Sequence, residues 1–158
     1  MPVYRTASEE ETIELGRRLA GELAPGAVVL LIGDLGAGKT TLAKGILSGL
    51  GAARPEEVSS PTFTLIHEYG EYGAQPLVYH ADLYRLERAE EAAAIGLEEL
   101  FEKNAIVLIE WGEKFPGLLP AERVEIRLRH AGEELREIEV SGTRPARPAA
   151  GPPCRPRR

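Results

Sequence analysis

Cysteine is almost absent: the single thiol, Cys154, has no partner for an internal disulfide and fits a chain expected in a reducing cytoplasm. Long apolar runs are absent as well. The longest, residues 27–32, falls far short of the roughly 20 residues that a membrane helix needs, so no membrane span is expected. The amino-terminal residues pass from Met1-Pro2-Val3 into Ser8-Glu9-Glu10-Glu11 without an apolar stretch behind a basic start, and no secretory signal is read there. Among the acids only Asp34 and Asp82 are aspartates, while Asn104, Gln75 and Met1 each stand alone. Such scarcity suits a thermophile, and biased genomic base composition accounts for it equally well. Positive charge is also short over most of the chain. Residues 1–142 hold 14 Lys and Arg against all 25 Asp and Glu, a net charge of −11, whereas residues 143–158 hold five Arg and no acid, a net charge of +5. An acidic body argues against a broad nucleic-acid-binding face, whose affinity would come from Lys and Arg on phosphates, so any nucleic acid is expected as an indirect partner.

What is present is a chain of 158 residues, 43% hydrophobic and 28% charged, enough for one domain with a real core. The Ser-x-x-Glu box at Ser8–Glu11, followed by Ile13, Gly16, Ala20 and Leu23, predicts an amphipathic helix over 9–24. Residues 28–32 form a β-branched and leucine run of the kind buried on both faces of a parallel sheet. A helix is predicted from Lys39 to near Gly49 or Gly51, a loop over 52–62, and strands over 63–69 and 77–81, the latter ending on Asp82. Residues 88–101 read as helical with a break near Gly96, and a strand over 105–109 ends on Glu110. Strands near 123–129 and 135–140 flank Ala131-Gly132 as an antiparallel hairpin. This order predicts an α/β fold, a mostly parallel sheet with an antiparallel C-terminal hairpin, over residues 1–142. Residues 143–158, with five Pro, read as a disordered tail.

The chemistry gathers where strands end. Gly33-Asp34-Leu35-Gly36-Ala37-Gly38-Lys39-Thr40 fits G-x-x-x-x-G-K-[ST] at every fixed position, with an apolar strand before it and a helix after it. Such a loop turns successive backbone N–H groups onto phosphates at a helix start; Lys39 would reach the β and γ phosphates and the Thr40 hydroxyl would bind Mg²⁺. A magnesium nucleotide site also needs a carboxylate from a neighbouring strand end, and both Asp82 and Glu110 qualify, for the metal or for the attacking water. Ser60-Pro61-Thr62-Phe63 lies where P-loop hydrolases often sense the γ-phosphate, with an ordinary proline turn as the alternative. Trp111 is either core or an anchor for a partner. His67, His80 and His130 lack metal-ligand spacing with the lone Cys. No Asn-Lys-x-Asp segment for guanine is present, so adenine or loose base selection is expected. A small-molecule kinase, with Arg85 and Arg88 as the clustered arginines of a lid, is the competing reading.

Four blocks, residues 33–41, Ser60-Pro61-Thr62-Phe63-Thr64-Leu65, His80-Ala81-Asp82-Leu83-Tyr84-Arg85-Leu86 and Ile109-Glu110-Trp111, closely resemble the bacterial TsaE family, the ATPase of tRNA threonylcarbamoyladenosine biosynthesis. The resemblance spans about residues 8–141 and implies a P-loop NTPase-like three-layer fold and a Mg²⁺-dependent, cytoplasmic ATPase using ATP and releasing ADP. It also implies two partners, TsaB and TsaD, of which TsaD carries out the transfer to tRNA; tRNA would be met only through that complex. By resemblance, Gly33 and Leu35 to Thr41, that is Gly36, Ala37, Gly38, Lys39 and Thr40 among them, hold the phosphates, and Thr40 with Glu110 holds Mg²⁺. Asp82 serves the hydrolytic step and the metal, Thr62 the sensing segment, and Trp111 the partner-facing or nucleotide-proximal surface. Glu11, Thr12 and Arg136 are the nearest matches for base contacts. No arginine is placed by the sequence as a finger, so slow hydrolysis by the isolated chain is expected.

Overall fold

The computed structural model describes residues 2–34, 36–59, 65–70 and 78–142. Seven strands, β1 (Val3–Thr6), β2 (Val28–Ile32), β3 (Ile66–Tyr69), β4 (Val78–Asp82), β5 (Ile106–Glu110), β6 (Val124–His130) and β7 (Arg136–Gly142), form one sheet in the order β1-β7-β6-β2-β5-β4-β3. The central pairs β6·β2, β2·β5 and β5·β4 are parallel, and β7 and β3 run against them. The expected mostly parallel sheet with a C-terminal hairpin is therefore present, and antiparallel pairing also occurs at both edges, through β1·β7 and β3·β4.

Alternation along the central strands divides the core into two layers, as a sheet covered on both faces requires. Val29 and Leu31 of β2, Leu108 of β5 and Ile126 of β6 pack under α1 (Glu9–Ala20) and α2 (Lys39–Gly49). Val28, Leu30, Val107 and Ile109 point to the other side, where they meet Ala92, Leu97 and Leu100 of α3 (Ala89–Ala94) and α4 (Leu97–Phe101). The result is the expected three-layer arrangement. Between the two helices of the first layer, Gly16 of α1 and Gly45 of α2 bring backbone against backbone: a Cβ at Gly16 would lie 2.6 Å from the Leu42 carbonyl oxygen.

Several boundaries differ from the sequence reading for local reasons. Helix α1 ends at Ala20, because the N–H groups of Gly21, Glu22 and Leu23 bond three residues back and the chain tightens before Pro25. Its buried face is carried by Thr12, Leu15 and Leu19, with Gly16 and Ala20 between them, and Ile13 is only half-buried. Strand β3 begins at Ile66 because Leu65 has φ of 72°, a left-handed geometry that interrupts an extended chain. The first part of that predicted strand, the start of the one at 77, and residues 143–158 lie outside the described residues. Strand β1 was not predicted; it is a short edge strand with little apolar patterning, held by β7.

Candidate functional site

Strand β2 delivers the chain into the glycine loop, and the loop closes on α2. Gly36 and Gly38 adopt φ of 80° and 103°, values that side chains rarely tolerate, so glycine at these two positions is what lets the loop turn and Gly38 cap the helix. Lys39 follows at the first helical position with its side chain buried. Its ammonium donates to the Gly33 carbonyl and lies 3.6 Å from the centre of the Trp111 ring. Burial pushes the Lys39 ammonium below its ordinary value, against the opposing pull of the Glu110, Glu113, Asp82 and Asp34 carboxylates.

Strands β4 and β5 are adjacent and parallel, and their register sets Asp82 beside Glu110 at their carboxyl ends. Both carboxylates are buried. Thr40 donates its hydroxyl to Glu110 Oε2 at 3.2 Å, and Asp82 Oδ1 accepts the Tyr84 N–H at 2.9 Å. His80, two residues before Asp82 on the same face of β4, is fully buried, with Nε2 2.6 Å from the same Glu110 oxygen. Beyond the strand ends, Lys114 ties the two loops together by donating to the carbonyls of Leu83, Tyr84 and Leu86. Trp111 adopts a left-handed φ of 65° and packs against Tyr84, their ring centres 5.1 Å apart.

Most of these groups line a cleft of about 430 Å³, whose lining does not include His80, Lys114 or Gly33. Gly36, Gly38, Lys39, Thr40 and Thr41 form its floor, with Asp82, Glu110 and Trp111 on the strand-end side and Thr12 from α1 opposite. Arg136 enters from the start of β7, donating to the carbonyls of Glu133 and Leu135 and, at 3.4 Å, to that of Gly36. Arg136, expected from the resemblance at base contacts, lines the cleft with its guanidinium resting on the glycine loop. Glu9 and Glu134 add two further acids to the lining, so carboxylates outnumber the cations Lys39 and Arg136. That balance favours a polyphosphate that carries a divalent cation over a bare one.

Of the other expected residues, Thr12 lines the cleft, whereas Glu11, Gly33 and Ala37 do not. The Glu11 carboxylate accepts the Ala7 N–H at 2.8 Å while the Glu11 N–H bonds Ser8 Oγ, so the side chain completes the helix cap and does not line the cleft. The Thr12 hydroxyl is buried and bonded to Thr6 Oγ1 and the Ser8 carbonyl. Gly33 and Ala37 line a second cleft with Arg127 and Arg129, while the Gly33 carbonyl accepts from the Lys39 ammonium. Leu35 and Thr62 lie outside the described residues. Arg85 and Arg88, the arginines of the competing kinase reading, do not line the main cleft, and the backbone N–H of Arg88 is capped by the Glu91 carboxylate at the start of α3. Sequence reasoning missed His80, Tyr84, Lys114, Ser8 and Glu134. Only His80 carried a usable signal, since a period of two puts it on the same face of its strand as Asp82.

A family model described as threonylcarbamoyl adenosine biosynthesis protein TsaE matches residues 6–138 of the chain. The chain is 45% identical over 135 residues to the tRNA threonylcarbamoyladenosine biosynthesis protein TsaE of Bacillus subtilis, a match covering 85% of this chain and 82% of that protein. A protein of the same description from a Nostoc species is 45% identical over 139 residues, again covering 85% and 82%. Among solved structures, that of Bacillus subtilis YdiB is similar with a TM-score of 0.73 at 36% identity, covering 90% of this chain and 85% of that one.

Proposed function

Since the chain belongs to the TsaE family, we propose that it binds and hydrolyses ATP within the machinery that makes threonylcarbamoyladenosine on tRNA. In this reading it supports repeated turnover of a TsaB–TsaD complex in the cytoplasm and is not itself the transferase. The observation that carries the proposal is the contact between Thr40 Oγ1 and Glu110 Oε2, 3.2 Å, made at the start of the helix that follows the glycine loop. A hydroxyl and a carboxylate in contact at that point are a donor set suited to Mg²⁺, and the surplus of acid around the cleft favours a metal-bound nucleotide over a free one.

In this proposal the loop N–H groups cradle the phosphates, and Lys39 leaves the Gly33 carbonyl and the Trp111 ring for the phosphate oxygens. Thr40 and Glu110 would hold Mg²⁺, which when bound supplies neutralisation of charge on the transferring phosphoryl group. Asp82, fixed by the Tyr84 N–H, orients the attacking water. Arg136 is engaged by backbone carbonyls, and no other arginine lines the cleft among the described residues, so the isolated chain turns over slowly until its partners bind. Lys39→Ala should weaken nucleotide binding and abolish hydrolysis. Glu110→Ala and Asp82→Ala should each cost far more in rate than in binding, and normal hydrolysis by both would refute their assignment.

A further inference from the structure

Glu110 is held from beneath as well as from the cleft side. His80 pairs in register with Leu108, and Glu110 with Asp82, so His80 sits two residues back along the sheet from the carboxylate that its ring reaches. The Nε2 to Oε2 distance is 2.6 Å, shorter than the 3.2 Å contact from Thr40 to the same oxygen. A carboxylate only accepts, so Nε2 carries the hydrogen that makes this bond. The other ring nitrogen, Nδ1, is buried and has no hydrogen-bond partner among the described residues. The ring is therefore tied to the site through one bond alone, and that bond ends on the carboxylate. Glu110 Oε1 makes no hydrogen bond among the described residues, so the two donors on Oε2 leave Oε1 available.

We propose that His80 is a positioning residue for the nucleotide's metal ion: by holding Oε2 of Glu110 through Nε2–H, it fixes the carboxylate so that Oε1 and the Thr40 hydroxyl together meet Mg²⁺. This inference rests on the Mg²⁺-nucleotide reading of the cleft. A glutamate at a strand end has several rotamers to choose among, and a short charge-assisted bond from a fully buried ring selects one before the metal arrives. Residues that orient a metal ligand in this way commonly govern metal affinity by about 10 to 100-fold without touching the metal.

The test is binding of a fluorescent ADP analogue across a Mg²⁺ titration, with parallel binding in EDTA. His80→Leu keeps the volume and removes the donor, and its Mg²⁺ midpoint should rise by about 10 to 100-fold while binding in EDTA stays at the wild-type level. His80→Gln, whose amide places a donor near the Nε2 position, should restore the midpoint to within about threefold of wild type. In a Glu110→Gln background, His80→Leu should have no further effect on the midpoint. If His80→Leu does not fold, His80→Asn takes its place, since its shorter amide falls short of Glu110; equal midpoints for wild type, Gln and Asn would overturn the proposal. An unshifted midpoint in a folded His80→Leu protein overturns it too. Wild-type binding that ignores Mg²⁺ altogether would instead remove the reading of the cleft on which the proposal stands.

Discussion

Replacing Gly45 with alanine sets two effects of opposite sign against each other. In an exposed helix, alanine is favoured over glycine by about 1 kcal/mol. At Gly45 the added Cβ would lie 2.8 Å from the Ile13 carbonyl carbon and 3.0 Å from the Gly16 Cα, where carbon atoms ordinarily keep about 3.5–4.0 Å. Both obstacles are backbone, so no rotamer change relieves them and the helices must separate. Overpacking of this kind costs about 1–3 kcal/mol, enough to cancel or reverse the propensity gain and leave the protein less stable by up to about 2 kcal/mol. For a domain of this size the melting temperature should fall by up to about 8 °C. The movement also reaches the cleft, because Ile13 adjoins Thr12 on α1 and the start of α2 carries Lys39 to Thr41, all but Ile13 lining it. Thermal unfolding and ADP binding should therefore decline together. Gly117→Ala is the control: nothing lies within 4 Å of its added Cβ, and stability should stay within about 0.5 kcal/mol. A Gly45→Ala protein that melts higher than wild type would refute the close-packed helix pair.

Three further outcomes follow from the site. Trp111 is the only tryptophan and carries the Lys39 ammonium on its ring, so its emission should change on ADP binding and the change should vanish in Lys39→Ala; an unaltered spectrum at saturation would exclude the departure of Lys39 from the ring. Lys114→Ala removes the donor shared by three carbonyls and should cost about 1–3 kcal/mol of stability, read by urea unfolding, with a larger loss of hydrolysis than of nucleotide affinity. Because burial lowers the Lys39 value in the folded chain below 10.5, the unfolded chain binds more protons in the interval between. Stability should then rise with pH across that alkaline interval, and Lys39→Met should lose this component in a difference of unfolding curves.

Local pattern determined much of the architecture. The run at residues 28–32 and the helix start at Lys39 were legible because a buried parallel strand, a glycine loop and a helix N-terminus each leave a short-range signature. Strand ends at Asp82 and Glu110 were legible for the same reason, since apolar runs stop where acids begin. What escaped depends on contacts between distant segments. Arg136 reaches Gly36 across 100 positions, and His80 finds Glu110 across 30 and a strand register that nothing local specifies. Glu11 was ambiguous in a different way: one carboxylate suits a capping box or a ligand, and the nearby Ala7 N–H takes it. Strand β1 is formed by pairing with β7 more than by its own sequence.

The central claim is tested most directly by ATP hydrolysis with the purified chain, measured alone and then with TsaB and TsaD added. The account predicts slow turnover alone, marked stimulation by the pair, and no turnover in either condition for Lys39→Ala. Equal rates with and without the pair, beside tight ATP binding, would contradict it.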